Sequence, residues 1–294
     1  KDYADIKFKD TIKKFEEKGF SVPKHSYSSY NMTPMSLAAL FEMDYLVTEK
    51  SPIYKDREKF YPVMRDKKPK ILQYLKKNNY EFIIVPPVWG GCPKSKGYRC
   101  LTPAGNFFYS NFTQDYTVST MFQYSIIKKI LDRFNLTSLH SDMDDSAKTA
   151  LEHMKINSKY WKDGGVFTMI HMMMPHTPHR KENCSTADPN LYTGKSKEQF
   201  KEQLKKGYRS SVYCALSRIH ELSDHLIKNY PNASIVVQSD HGVDLVSDPS
   251  NIKFIDIPQS LIDHRLGAFT AVRGCNSNQA AKLNQAHIVE FLVD

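Results

Sequence analysis

Three short stretches of this 294-residue chain carry residue types able to do chemistry on an anion. In "SYSSYNMTPMSLAALFEM" (Ser26–Met43), Thr33 stands directly before Pro34 and an apolar run, the place of a helix start. A threonine there can satisfy a first-turn N–H as a cap. It can also offer its hydroxyl to an anion drawn to the same free N–H groups. In "SIVVQSDHG", Asp240 and His241 follow an apolar run, and Gly242 eases the turn that lets carboxylate and imidazole reach one metal ion. The competing reading is an ordinary strand-end turn with a capping aspartate. In "HMMMPHTPH", His171, His176 and His179 are interleaved with Pro175 and Pro178, which exclude the helical zinc-protease arrangement. His176 suits a contact with an anion or leaving group. Against that stands the reading of one or two satisfied histidines and a surface one, which is strongest for His171.

Taken together, a hydroxyl, a carboxylate–imidazole pair and a histidine-rich turn suggest phosphoryl or sulfuryl chemistry. A divalent ion would lower the pKa of a coordinated threonine hydroxyl and polarise the transferring group. Histidines would stabilise peripheral oxygens, and a formal net charge of +9 would favour an anionic substrate.

These residues need elements to position them. Lys9–Lys18 reads as a helix closing at Gly19, then "FSVP" as a short extended segment, then an amphipathic helix from Thr33. Ile53–Lys67 is ambiguous, and Pro69–Asn78 reads as a helix before a buried strand at Tyr80–Val85. Trp89–Tyr109 is irregular and rich in Gly and Pro, a candidate rim for an active site. Helical periodicity returns at Val118–Phe134 and Ala147–Lys155, and Val166–Met173 reads as an apolar strand. A long helix over Glu198–Tyr230, with Gly207 as its candidate break, feeds the strand "SIVVQ", and "RLGAFTAVR" reads as another strand. Apolar strands without strict alternation, separated by helices, argue for an α/β protein with a largely parallel sheet covered on both faces. Ligand sites in such sheets lie at strand ends, where "SDHG" and "PHTPH" fall.

Composition narrows the partners. With 40% hydrophobic and 25% charged residues the chain suits a globular protein. The lysines are dispersed and no zinc-finger or RNP-like pattern occurs, so nucleic acid is not expected as a partner. Five cysteines are too few for a disulfide scaffold, although Cys92 and Cys100 could bridge "GCPKSKGYRC". Sequons at Asn31, Asn111, Asn135, Asn183 and Asn232 permit a secreted or lumenal protein, though an Asn- and Ser-rich chain also generates them by chance. No signal peptide or membrane-spanning run is recognisable, and the opening "KDYADIKF" suggests a processed or trimmed piece.

The three stretches, in this order, resemble the sulfatase-like branch of the alkaline phosphatase superfamily. The likeness is greatest to domains related to lipoteichoic acid synthases and phosphoethanolamine transferases, and it extends over most of the chain. It rests on "GFSVPKHSYSSYNMTPMSLAALFEMDYL", "FTMIHMMMPHTPH", the Tyr208–Tyr230 helix leading into "SIVVQSDHG", and "HRLGAFTAVR". The resemblance implies an α/β/α sandwich with a mostly parallel central sheet, residues 1–294 forming one catalytic domain trimmed at both ends. Thr33 then matches the nucleophile and a metal ligand, and Asp240 and His241 match further metal ligands. His176 matches the histidine that contacts the substrate's charged group, with His171 and His179 as further substrate-binding candidates. One divalent ion is implied, Mn or Zn foremost, with Ca and Mg as the other candidates.

The resemblance further implies an extracytoplasmic enzyme acting on an anionic small molecule, lipid or glycan, with a membrane tether outside this chain. Threonine is not the residue converted to formylglycine, so phosphoryl transfer or phosphoester hydrolysis is favoured over sulfate-ester cleavage. A sulfatase and a non-catalytic sulfatase-like binding domain are the alternatives. One departure is that the family's acidic metal ligand, at the end of a first strand upstream of the nucleophile, has no counterpart before Thr33.

Overall fold

The computed structural model describes residues 6, 8–45, 69–85, 97–101, 146–156, 158, 161, 165–176, 179–185, 187, 196–243, 259–274 and 288–293. Along them run α1 (Phe8–Glu17), α2 (Thr33–Glu42), α3 (Lys70–Lys77), β1 (Glu81–Val85), β2 (Arg99–Cys100) and α4 (Ser146–Ile156). β3 (Val166–Ile170), α5 (Lys197–Asn229), β4 (Ile235–Gln238), α6 (Gln259–Leu266), β5 (Thr270–Arg273) and α7 (Ile288–Val293) follow. The expectations for Ile53–Lys67, Val118–Phe134 and most of Trp89–Tyr109 lie outside the described residues. The chain forms two compact units. The first comprises Lys1–Tyr74, Ser196–Lys205 and Pro231–Asp294; the second comprises Leu75–Lys195 and Lys206–Tyr230.

In the first unit, α1 stops because Gly19 takes φ +79, a conformation glycine adopts without a Cβ penalty. Gly19 N–H donates to Glu16 and Phe20 N–H to Phe15, satisfying carbonyls that the helix end would leave open. The same closure sets Phe20 edge-on to Phe15 at 5.3 Å, while Phe269 packs on Phe15 from 5.2 Å. Phe15 is fully buried, and a side chain of that kind contributes about 1.5–3 kcal/mol by leaving water. Beyond Phe20 the chain runs antiparallel to the β5 region, with bridges at Ser21–Val272 and Tyr27–Gly267. The expected extended "FSVP" segment therefore has a physical partner. β5 in turn pairs antiparallel with β4, Ile235 opposite Arg273 through Gln238 opposite Thr270.

The second unit holds a parallel sheet in the order β2-β1-β3. Glu81 lies opposite Val166 and Val85 opposite Ile170, while Ile83 and Ile84 pair with Arg99 and Cys100. Phe82, Ile83, Ile84 and Val85 are all buried, as an unbroken apolar run in a parallel strand requires. Ala147, Leu151 and Met154 of α4 form a core with Leu222 of α5, and Trp161, Ile170 and Met172 pack against it.

The α/β class and parallel pairing agree with the sequence, with three local differences. The "RLGAFTAVR" strand is shorter than expected: α6 continues through Leu266, and the strand begins only at Thr270. β3 ends at Ile170 rather than near Met173. α5 runs 33 residues without interruption through Gly207, because the loss of about 1 kcal/mol for one helical glycine is small beside that helix's packing.

Candidate functional site

Thr33 is the first residue of α2, and Met32, in extended geometry, is the N-cap without a side-chain cap bond. The threonine hydroxyl is thus not used as a cap, and Pro34 takes the second helical position rather than the first. Met35, Ser36, Leu37, Ala38, Ala39 and Phe41 are all buried, so α2 is enclosed around most of its circumference rather than along one amphipathic stripe. Burial fixes the helix; the approach to it is fixed by two hydroxyls. Ser28 and Ser36 both donate to the Tyr30 carbonyl, at 2.8 and 3.0 Å. Ser28 N–H also donates to the Leu266 carbonyl at 2.7 Å, joining this approach to the end of α6.

Asp240 and His241 follow β4. Thr33 Oγ1 donates to Asp240 Oδ2 at 2.5 Å, across 207 residues of sequence. It also lies 3.2 Å from His241 Nε2, and Nε2 is 3.5 Å from Asp240 Oδ2. Asp240 Oδ1 accepts the His241 amide at 3.0 Å, which orients the carboxylate. Gly242 makes the turn: its N–H donates to Arg265 O at 2.9 Å. A Cβ at Gly242 would stand 2.0 Å from His264 O and 2.6 Å from Gly267 O. Glycine is needed for close backbone approach. The sequence reading noted the ease of turning at Gly242 but missed its contact with α6, for which Gly267 in "RLGAF" was the available signal.

The proton count in this cluster is informative. His241 Nδ1 is 2.6 Å from the Gly242 carbonyl oxygen, which can only accept. Nδ1 therefore carries the hydrogen, and Nε2 of the neutral ring presents a lone pair toward Thr33. Thr33 has one hydroxyl hydrogen, donated to Asp240. Nε2 and Oγ1 thus face each other with no hydrogen between them unless the ring gains a proton or a cation joins the group. Hydroxyl oxygen, carboxylate oxygen and imidazole nitrogen form a donor set suited to a divalent ion. Donors about 2.0–2.2 Å from a shared ion stand roughly 3–3.5 Å apart, close to the two longer separations here. The residues fit such an ion. Among the described residues no three His, Cys, Asp or Glu side chains converge.

The "HMMMPHTPH" histidines belong to the second unit. His171 continues the parallel ladder, its N–H donating to Val85 O at 3.0 Å, while its carbonyl accepts Ser146 Oγ at 2.7 Å. Its side chain is half-buried. His176 is exposed on a turn closed by its N–H donating to Met173 O at 2.8 Å. His179 is buried, with 3% exposure. Burial pushes its pKa down; the Pro175 carbonyl acts in the opposite sense, and the charge of His176 lowers it further. Asn31, Asn183 and Asn232 are exposed, while Asn111 and Asn135 lie outside the described residues.

A disulfide joins Cys184 to Cys214, a pairing the sequence reading missed. Cys100 is also disulfide-bonded, with a partner outside the described residues, as Cys92 is.

No protein-family model and no curated protein matches the chain. Solved structures do. A Bacteroides thetaiotaomicron structure, BT33494S-sulf, described under metabolism of multiple glycosaminoglycans by a versatile core genetic locus, aligns with a TM-score of 0.52 at 14% identity. That alignment covers 95% of this chain and 63% of the other. Two structures of Ps i-CgsB, one in complex with k-i-k-neocarrahexaose, align at TM-scores of 0.46 and 0.45 with 17% and 16% identity. Each of those alignments covers 92% of this chain and 63% of the other. The chain spans less than two thirds of the length of all three. At this identity the likeness to the Bacteroides thetaiotaomicron structure is one of fold alone, and a distant one.

Proposed function

We propose that the chain carries out metal-dependent phosphoryl transfer or phosphoester hydrolysis on an anionic lipid or glycan, with Thr33 as nucleophile. The observation that carries this reading is the convergence of Thr33 Oγ1, Asp240 Oδ2 and His241 Nε2 within 2.5 to 3.5 Å. Thr33, Asp240 and His241 would hold the ion, Mn or Zn foremost with Ca and Mg as the other candidates; when bound, it lowers the hydroxyl pKa and polarises the phosphoryl group. Thr33 Oγ1 attacks phosphorus in line as its hydrogen passes to Asp240 Oδ2. The P–O bond to the leaving alcohol breaks, and that alcohol takes up a proton. Water or an acceptor alcohol then cleaves the phosphothreonine and restores the hydroxyl. His241, oriented by the Gly242 carbonyl, keeps its Nε2 lone pair aimed at the same point.

The substrate class draws support from the basic chain and from the glycosaminoglycan context of the structural neighbour. The Cys184–Cys214 disulfide and the exposed sequons support an extracytoplasmic location. No described helix is long and apolar enough to cross a membrane, and the proposed tether lies outside this chain.

The test is turnover of p-nitrophenyl phosphomonoester, phosphodiester and sulfate by the protein loaded with Mn or Zn. Thr33→Ala should lose on the order of 10³-fold or more in kcat on a phosphoester. Rapid quenching of the parent should trap a phosphoryl group on the Thr33 peptide. Full phosphoester activity in Thr33→Ala sinks the nucleophile, and preference for the sulfate ester moves the assignment to a sulfatase. One observation favours a second, non-catalytic reading: Asn31 is exposed, and Thr33 is the third residue of its sequon. A glycan on Asn31 in the native protein, with no metal bound, would establish that reading instead.

A further inference from the structure

We infer that Ser239 is a positioning residue, whose hydroxyl ends the β4–β5 ladder one residue before Asp240 and so aims Asp240 and His241 at Thr33. The inference rests on the proposed role of Asp240 and His241 as metal ligands. The ladder fixes what a regular continuation would look like. Val272 exchanges both of its backbone bonds with Ser21, at 2.7 and 2.9 Å, and so bonds away from β4. Antiparallel pairing alternates, and Ala271 and Arg273 therefore turn their bonds toward Val237 and Ile235. By the same alternation, Ser239 and Phe269 stand opposite each other as the next bonded pair.

Half of that pair is regular: Ser239 N–H donates to Phe269 O at 3.0 Å. The other half is not. Phe269 N–H donates to Ser239 Oγ at 2.8 Å, where a regular ladder would use the Ser239 carbonyl. The hydroxyl thus stands in for the carbonyl of its own residue. The amide keeps an acceptor while the backbone rotates out of the sheet at this point. The next residues depend on that rotation. Asp240 Oδ2 accepts Thr33 Oγ1 and Oδ1 accepts the His241 amide, while Gly242 N–H joins the end of α6 at Arg265 O. Other hydroxyls of this sheet act differently. Thr270 Oγ1 meets Ser26 Oγ at 2.6 Å and accepts Gln238 Nε2 at 3.3 Å, ties between side chains that replace no ladder bond. Alanine at position 239 would leave Phe269 N–H without its acceptor. Recovering one requires the carbonyl of residue 239 to swing back, which lengthens the ladder by a pair and draws Asp240 with it. The ladder survives; its end moves.

The test uses the full chain, with Mn or Zn alone as the probe. Calorimetric titration of Ser239→Ala should show metal affinity reduced about tenfold to a hundredfold, the usual loss when a ligand's support is removed. Ser239→Thr keeps the hydroxyl and should recover most of that affinity. Ser26→Ala, which removes a tie of the same sheet, should bind as the parent does. A second readout needs no metal and no turnover. Hydrogen exchange at the Phe269 and His241 amides should quicken roughly tenfold in Ser239→Ala, as for a lost hydrogen bond, and slow again in Ser239→Thr. Parent-like metal affinity in Ser239→Ala, or an equal loss in Ser26→Ala, would overturn the inference. So would quickened exchange confined to Phe269, since the hydroxyl would then end the strand without aiming the residues beyond it. If the parent itself binds neither ion, the proposed metal chemistry falls, and the exchange result alone decides for or against Ser239.

Discussion

The Thr33 cluster and the His176 turn are built on different principles. Thr33 reaches Asp240 across 207 residues through a backbone ladder, in which residues 21–27 pair with the β5 region and β5 pairs with β4. The direction of each donor is then set by a backbone group: the His241 amide for Asp240, and the Gly242 carbonyl for His241. The turn bearing His176 lies past the end of β3, and the stretch from His179 to Cys184 that follows it is held by side chains docking on α5. A ladder repeats its constraint at every residue, so small side-chain changes leave it intact. Side-chain anchors are separable, and each can be removed singly. The first arrangement suits atoms that must meet within hydrogen-bond distance; the second suits a contact that needs only to be aimed.

Removing the strongest anchor is the largest perturbation available to the second arrangement. The Cys184–Cys214 bond closes a loop with a sequence separation of 30. The double substitution Cys184→Ser with Cys214→Ser should reduce stability by about 3–4 kcal/mol on the chain-entropy estimate. Chemical denaturation of parent and variant measures this, and coincident midpoints would show that the noncovalent contacts alone fasten the loop.

A smaller change should suffice to damage the first arrangement if it strikes the backbone itself. A methyl at Gly242 would meet the carbonyl oxygens of His264 and Gly267, neither of which can rotate aside as a side chain would. Gly242→Ala should lower stability by about 1–3 kcal/mol, the usual range for overpacking. It should also abolish Mn or Zn binding at Thr33, Asp240 and His241, because the turn that aims His241 must open. Thermal melting and metal titration by calorimetry check the two effects. A variant that melts like the parent and binds metal equally well would contradict the close-packed turn.

The contrast also explains what was legible in the sequence. Thr33, Asp240 and His241 could be named because strand ends and helix starts leave local marks: an apolar run, a turn-former, a proline. Their meeting was an expectation, reached through the motif resemblance, and the spacing of residues alone did not supply it. "RLGAFTAVR" misled because Leu266 and Phe269 carry apolarity across the end of α6 and hide Gly267, where the helix ends. The encirclement of α2 was hidden for a related reason: "MSLAALF" is apolar enough to face a core on any side, and only tertiary packing decides how many sides are covered. The Cys184–Cys214 pairing had no local mark, since cysteine spacing does not encode partners. The burial of His179, three residues from the exposed His176 in the same motif, likewise depends on α5, which lies well beyond the motif in sequence.

The smallest effect is one of pH, and it belongs to the second unit. Burial lowers the pKa of His179, with His176 adding to the shift and the Pro175 carbonyl opposing it. Burial, then Lys155 and Lys228, lower that of His225. Both rings are held neutral in the fold, so their stabilisation is complete above the unfolded value near 6.5. As pH falls below that value, the unfolded chain takes up protons that the folded rings resist, and stability declines toward their lowered pKa values. Tyr230 limits the other side: burial raises its pKa, so its contribution holds below about pH 10 and is lost as the unfolded phenol ionises first. For His179 the slope cannot exceed about 1.4 kcal/mol per pH unit, the value for one proton. Denaturant midpoints between about pH 5 and 8 should therefore fall on the acid side, and His179→Leu should flatten that fall. An unchanged slope in His179→Leu would mean that the ring takes up its proton in the fold as readily as in the unfolded chain. The wall formed by Tyr208 and the 3% exposure of His179 argue against that outcome.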